Sequence, residues 1–251
     1  MSALGGSGYD LSVSTYSQDG KIFQVEYAQK AVESGGTVIG VRGANCVVLA
    51  MDKPLISEMQ VKGTPRISTV SVQAGMVGAG LAPDARAIAN WSRNEAQQYK
   101  GFYHHEIPIK VLTERTSLFM HYSTISDAFR PFGTSMVLGG FDHDHAKPQL
   151  FMIEPSGKCY GYRGVAVGGN QTAVRNELEK LDFATLQPEQ AVLEVARILY
   201  AVHDQTKQPR FEIELSWAAP QTNYKHVPVP HDLFVRAEDA AKQFLEDQDL
   251  S

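Results

Sequence analysis

Cysteine is scarce: Cys46 and Cys159 are the two in 251 residues, too few for a disulfide framework, and they point to a reducing compartment. Excess charge is missing as well. The 23 Lys and Arg against 28 Asp and Glu leave a net −5, which offers neither nucleic acid nor an anionic membrane surface an evident partner. No apolar run approaches the roughly 18 residues that a membrane helix needs. Met1 to Gly8 has neither a basic start nor an apolar signal core, so no leader is expected. Linkers, internal repeats and low-complexity blocks are also wanting. What remains is 43% hydrophobic, too apolar for a disordered chain. Its length suits one mixed domain over residues 1–251, expected in the cytoplasm and nucleus.

Hydrophobic spacing orders the chain. Residues 1–8 form a small, polar Gly/Ser arm. After the turn signal Asp19-Gly20, the spacing of Phe23, Tyr27 and Ala31 predicts a helix over 22–34, and a sandwich is expected over 35–251. Residues 37–42 and 46–51 are short and β-branched, and Gly43, Ala44 and Asn45 join them as a hairpin. Residues 66–70 and 75–80 read as two more strands, poor in charge and so expected to be covered on both faces. Two amphipathic helices follow, one with the stripe Ala85, Ile88, Ala89, Ala96 and Tyr99, the other with Val111, Leu118, Tyr122 and Ile125. Strands are expected at 134–141, 149–153 and 158–162, helices at 172–181 and 188–206, a strand at 211–217 and a helix from Asp232. Helices that arrive in pairs between clusters of strands fit two packed sheets between helical layers, an α+β sandwich.

Residues Tyr16 to Ala28, Tyr-Ser-Gln-Asp-Gly-Lys-Ile-Phe-Gln-Val-Glu-Tyr-Ala, resemble the signature of proteasome α subunits. Gly8-Tyr9-Asp10, the block from Gly80 to Arg86, the block from Arg130 to Gly133 and Pro155-Ser156-Gly157 agree with the family in order. Leu11, where most members have arginine, and Leu215-Ser216-Trp217 resemble one branch of that family. The resemblance implies a four-layer αββα sandwich of the N-terminal nucleophile hydrolase type, here non-catalytic. It implies a structural subunit in a seven-membered ring of α subunits, stacked on a ring of β subunits, in ubiquitin-dependent protein degradation. Tails such as residues 1–8 then close an axial channel, and Tyr9, Asp10 and Tyr27 match the cluster that holds the open gate, with Gln18 in place of the family's proline. That exchange removes a fixed φ from the turn, and Leu11 removes a charge that can bridge to a neighbour. Gly35, Arg66 and Leu81 match a pocket that receives the C-terminal tails of regulatory particles and other activators, where a guanidinium can grip a terminal carboxylate. Gln24, Val25, Glu26 and Tyr27 belong to the helix that the family uses in assembly. No cofactor and no metal is implied.

A catalytic alternative is a self-processed threonine hydrolase with Thr37 as nucleophile and its freed amine as base. Register opposes it. In active members an aspartate at a strand end follows the nucleophile at a fixed spacing, and with Asp52 in that role the spacing falls on Gly36, which has nothing to attack with. The supporting lysine is replaced by Arg66, which cannot accept a proton near neutral pH. Cleavage before Thr37 also discards the signature helix. The remaining constellations read as structural. Asp142, His143, Asp144 and His145, even with the further pair His104 and His105, suggest a solvated loop rather than a metal site. His203 is expected in a core or interface, Cys46 as an inert core thiol, and residues 246–249 as a solvated helix end. Gly168-Gly169-Asn170 lacks the Gly-Lys-Ser/Thr sequel of a phosphate loop.

Overall fold

The computed structural model describes residues 10–55, 59, 64–142, 147–203 and 211–249. The elements run α1 (Phe23–Glu33), β1 (Val38–Arg42), β2 (Val47–Pro54), β3 (Ser68–Ser71), β4 (Ala74–Gly80), α2 (Ala82–Tyr103) and α3 (Ile109–Ile125). They continue with β5 (Thr134–Asp142), β6 (Lys147–Ile153), β7 (Cys159–Gly161), β8 (Gly164–Val167), α4 (Gln171–Leu178), α5 (Pro188–Val202), β9 (Phe211–Ala218), β10 (Val227–Pro228) and α6 (His231–Asp249). The expected order of helices and strands holds.

Two five-stranded antiparallel sheets result, one ordered β10-β9-β2-β1-β8 and the other β3-β4-β5-β6-β7. The expected β1–β2 hairpin forms, with Arg42 opposite Val47 and Val38 opposite Met51. Val38, Leu49, Val77, Val137, Leu150 and Val165 fill the space between the sheets. Val192, Val195 and Leu199 of α5, with Leu233 and Ala237 of α6, cover the outer face of the first sheet. Ile88 of α2 and Leu112 and Met120 of α3 cover the second. Helix, sheet, sheet and helix thus form four layers, as expected.

Three expectations need correction. The strand expected at 66–70 is the edge strand β3, with Val70 buried and Thr69 exposed, so its low charge does not reflect cover on both faces. The region from 158 onward holds two strands, because β7 stays beside β6 while β8 crosses to pair with β1. The apolar stripe of α3 is on the wrong face. Leu118, Tyr122 and Ile125 are 67%, 57% and 57% exposed, while Leu112, Thr113, Thr116, Met120, Ser123 and Thr124 are buried. The polar residues of that face return their hydroxyls to their own helix: Thr113 to the Ile109 carbonyl and Thr116 to that of Leu112, both at 2.8 Å. Satisfied in this way, Thr and Ser line a core at little cost.

His226 pins the two sheets to each other. Its Nδ1 lies 2.8 Å from the Thr69 hydroxyl on β3, and its Nε2 lies 2.9 Å from the Ser216 hydroxyl on β9. Burial lowers its pKa from 6.5 to about 4, because the charged ring would lose its water. The unfolded chain therefore binds a proton between those two values that the folded chain refuses. Stability should fall as the pH drops from about 6.5 to 4, by on the order of 3 kcal/mol from this residue. Urea unfolding of the full chain across that range checks this, and His226→Gln should flatten the slope relative to wild type.

Candidate functional site

The residues singled out in the sequence gather where α1 hands over to β1. Helix α1 buries Ala28 and Val32 and ends at Ser34. Gly35 then runs against Gly80, where an added Cβ would lie 2.4 Å from the Gly80 nitrogen. Gly36 passes Asp52 so closely that a Cβ would lie 2.6 Å from the Asp52 carbonyl oxygen. No other residue type fits there.

The position a nucleophile would need is therefore filled by backbone. Thr37 is 1% exposed, its main-chain N–H donates to Asp52 Oδ1, and its carbonyl accepts from the Asp52 N–H at 3.0 Å. Burial raises the Asp52 carboxyl above its ordinary range, and the Thr37 N–H and His203 only partly offset this. His203 Nδ1 stands 3.8 Å from Asp52 Oδ2, and its ring stacks on Phe211 at 3.6 Å, which makes it a buried histidine as expected. Lys53 turns away to Glu214 at 3.3 Å and Glu212 at 3.6 Å. An amide nitrogen cannot act as the base that a threonine nucleophile requires.

The residues expected at the gate come together in part. Tyr9 lies outside the described residues. Gln24 Nε2 donates to the Asp10 carbonyl, and the Tyr27 hydroxyl stands 3.5 Å from Asp10 Oδ2, at the limit of a hydrogen bond. Tyr27 also stacks on Phe23, with centroids 6.3 Å apart. Gln18 sits exposed in a turn that Ser17 closes: the Ser17 carbonyl accepts from Gly20 at 2.9 Å and its hydroxyl from the Lys21 N–H at 3.1 Å. These bonds hold the turn without the proline ring. On α1, Glu26 and Tyr27 are exposed while Gln24 and Val25 are half-buried, so part of the signature faces outward.

The expected pocket residues share one neighbourhood. Gly35 abuts Gly80, the residue before the half-exposed Leu81. Arg66 lines a cavity of about 140 Å³ with Ala82, Pro83 and Arg86. Glu214 grips the main chain there, accepting from the Arg66 N–H at 2.8 Å and the Ile67 N–H at 3.1 Å, while the exposed Arg66 guanidinium has no ion pair among the described residues.

One connection was not anticipated from the sequence. Arg130 donates to both oxygens of Asp84, at 2.7 and 2.8 Å, and Asp84 also accepts the Gly133 N–H at 2.9 Å. The Gly133 carbonyl in turn accepts the Leu81 N–H at 2.9 Å. Two of the sequence blocks, 80–86 and 130–133, are therefore halves of one bonded unit. Pro155-Ser156-Gly157 is similarly a turn held by α3, with the Ser117 hydroxyl on the Gly157 carbonyl.

Comparison with known proteins decides the family. A family model described as "Proteasome subunit" matches residues 32–218, and a second, for the N-terminal signature of A-type proteasome subunits, matches 9–31. The chain belongs to the proteasome subunit family. Within the family it is similar to "Proteasome subunit alpha type-3" of Dictyostelium discoideum, at 45% identity over 100% of both chains. It is 43% identical to the protein of that name from Arabidopsis thaliana, over 99% of each. A "Probable proteasome subunit alpha type-7" of Schizosaccharomyces pombe is 38% identical over 100% of this chain and 99% of its own. The chain is thus of the α type and non-catalytic, in agreement with Gly36 at the nucleophile position.

The remaining candidates are structural. Asn170 donates to the Val202 carbonyl at 3.0 Å, which ties Gly168-Gly169-Asn170 to the end of α5. Burial pushes the Cys46 thiol up to about 11, so it stays protonated. His104 takes a left-handed conformation at the end of α2; Asp142, expected in a solvated loop, is instead buried at the end of β5 and accepts from Gln149 at 3.0 Å, and residues 143–146 lie outside the described residues. Among the described residues no cluster could hold a metal, and no helix is long and apolar enough to cross a membrane.

The unit built on Asp84 can be tested. Burial alone would raise the Asp84 carboxyl, but Arg130 and the Gly133 N–H together outweigh it and hold the group below its ordinary value. Its contribution is therefore complete above the ordinary aspartate value of 3.8 and is lost as the pH falls below it. Asp84→Ala should cost about 1–3 kcal/mol at neutral pH, since it strands a buried N–H, and Asp84→Asn should cost less. Thermal unfolding of the two variants at pH 7 and pH 3 measures both statements.

Proposed function

We propose that this non-catalytic α-type subunit occupies one place in a seven-membered proteasome α ring on a β ring, and serves ubiquitin-dependent protein degradation as wall, gate and docking surface. The observation that carries the non-catalytic role is Gly36, packed against Asp52 where a nucleophile would have to stand. Helix α1, with Gln24, Val25, Glu26 and Tyr27, serves assembly: its outward residues offer a neighbour what the sandwich leaves uncovered. Residues 1–8 form the tail that narrows the channel, and Tyr9, Asp10, Gln18 and Tyr27 set its root. Gly35, Arg66 and Leu81 receive an activator's C-terminal tail, supported by a guanidinium that no acid neutralises among the described residues. The two free cysteines, one of them buried, fit residence in the cytoplasm and nucleus.

Gating offers the direct test. A tail of Ser2, Ala3, Leu4, Gly5, Gly6, Ser7 and Gly8 has little apolar surface to hold it, so it acts as a removable barrier. Particles that carry this chain without residues 2–8 should hydrolyse a short fluorogenic peptide several-fold faster in the absence of activator, with unchanged β sites. Unchanged basal turnover would mean that this tail does not help to close the channel.

A further inference from the structure

At the end of β1 away from Gly36, both sheets contribute to a groove of about 530 Å³ that opens to solvent. Arg42 from the end of β1, Lys147 from the start of β6 and Arg163 from the crossing between β7 and β8 line it. Lys147 and Arg163 are exposed and Arg42 is half-buried. None of the three has an ion pair among the described residues. Ala44, Pro148 and Phe183 give the groove an apolar border. The Phe183 ring lies against Gly164, where an added Cβ would meet it at 2.7 Å.

The acids that border this groove are engaged elsewhere. Asp142 is opposite Lys147 in the strand register, but it is buried and accepts from Gln149 Nε2 at 3.0 Å. Asp182 accepts from the Ala184 N–H at 3.1 Å and from the Thr185 hydroxyl at 2.9 Å, so both of its oxygens serve their own turn. Glu154 and Glu179 line a separate cavity that Phe183 also borders. The main chain that carries the cations is fixed. The Arg42 N–H donates to the Arg163 carbonyl at 2.7 Å, and the Ala44 N–H to the Leu186 carbonyl at 3.1 Å. Like charges gathered in a cleft without a counter-ion repel one another and focus a positive potential. In a chain of net −5 this is a local reversal of sign.

We propose that this groove binds an acidic segment of a protein partner, a short run of Asp and Glu with an apolar residue beside it. The guanidinium groups of Arg42 and Arg163 can each grip a carboxylate through two N–H groups, and Lys147 adds a point charge. The volume suits several side chains together, more than a lone carboxylate needs. The apolar border of Ala44, Pro148 and Phe183 takes the uncharged neighbour. A long polyanion such as nucleic acid would have to cross the acidic remainder of the surface, whereas a short segment meets only the groove. The proposal depends neither on the tail as a gate nor on the pocket at Arg66.

The experiment uses assembled particles that contain wild-type chain, Arg42→Gln, Lys147→Gln, Arg163→Gln, all three together, or Lys158→Gln as a control outside the groove. Fluorescence anisotropy measures binding of a labelled peptide, Leu-Asp-Glu-Asp-Glu-Leu, and of its counterpart with Asn and Gln in place of the acids. Each single substitution in the groove should weaken binding of the acidic peptide roughly two- to fivefold, the size of one exposed ion pair. The triple variant should lose most of the preference for the acidic peptide, and Lys158→Gln should keep it. Raising the salt from about 50 mM to about 300 mM should weaken the wild type more than the triple variant. Thermal unfolding should be unchanged or slightly raised in each single variant, because the change relieves repulsion between like charges. Lower stability in all three would mark the cations as structural and overturn the proposal. A triple variant that binds as tightly as wild type, or wild-type particles that do not tell the two peptides apart, would overturn it too. So would a peptide with one phosphoserine and no other acid that binds roughly tenfold more tightly than the acidic one, since the occupant would then be a phosphate. Should the triple variant fail to enter particles, the single variants carry the test.

Discussion

At Gly36 the chain passes Asp52 with no room for a side chain: a Cβ there would lie 2.6 Å from the Asp52 carbonyl oxygen and 2.9 Å from its carboxylate. The same turn of backbone sets Gly35 against Gly80, which itself has φ +114 and lies against the Gly133 carbonyl. Three consequences follow from this crowding. The nucleophile position is occupied by main chain, so the sandwich has no threonine chemistry. Helix α1 must arrive at one fixed point on the end of the sheets. Leu81, next to Gly80, is presented beside α1 together with the arginine-lined cavity that follows it.

Rigidity at that end comes from Asp84. Its carboxylate joins the start of α2 to the loop after α3 through Arg130 and Gly133, and the Gly133 carbonyl then holds Leu81. A loop fixed in this way can serve two surfaces. On one side it supports Leu81, and on the other it presents Asp127 to Ser12 and Ser14. Leu81 and residues 12–14 therefore rest on a common support, with His226 fastening the two sheets further into the molecule.

Much of this was legible in the sequence because it is local. The β1–β2 hairpin follows from two β-branched runs and a Gly-Ala-Asn turn, and α2 from an apolar stripe that runs from Ala85 to Tyr99 with Ser92 as a polar interruption. Gly36 was legible too, since the spacing back from Asp52 falls on it. What failed depended on partners distant in the chain. The buried face of α3 uses Thr113, Thr116, Ser123 and Thr124, whose hydroxyls bond to their own helix, so a count of apolar residues selects the exposed face instead. The Asp84–Arg130 pair spans 46 positions and the Ser12–Asp127 bond 115, and no periodic pattern reports either. Both blocks of the first pair were visible as motifs, but only the fold shows that they are one unit.

The central claim is that this chain works as an uncleaved member of a ring, not as a threonine hydrolase. Intact mass of the chain within native, untagged particles tests it most directly. The expected result is a chain that retains the residues before Thr37 and fractionates with other proteasome subunits at the mass of the whole particle. A species that begins at Thr37, or a free monomer that holds all of the material, would contradict it.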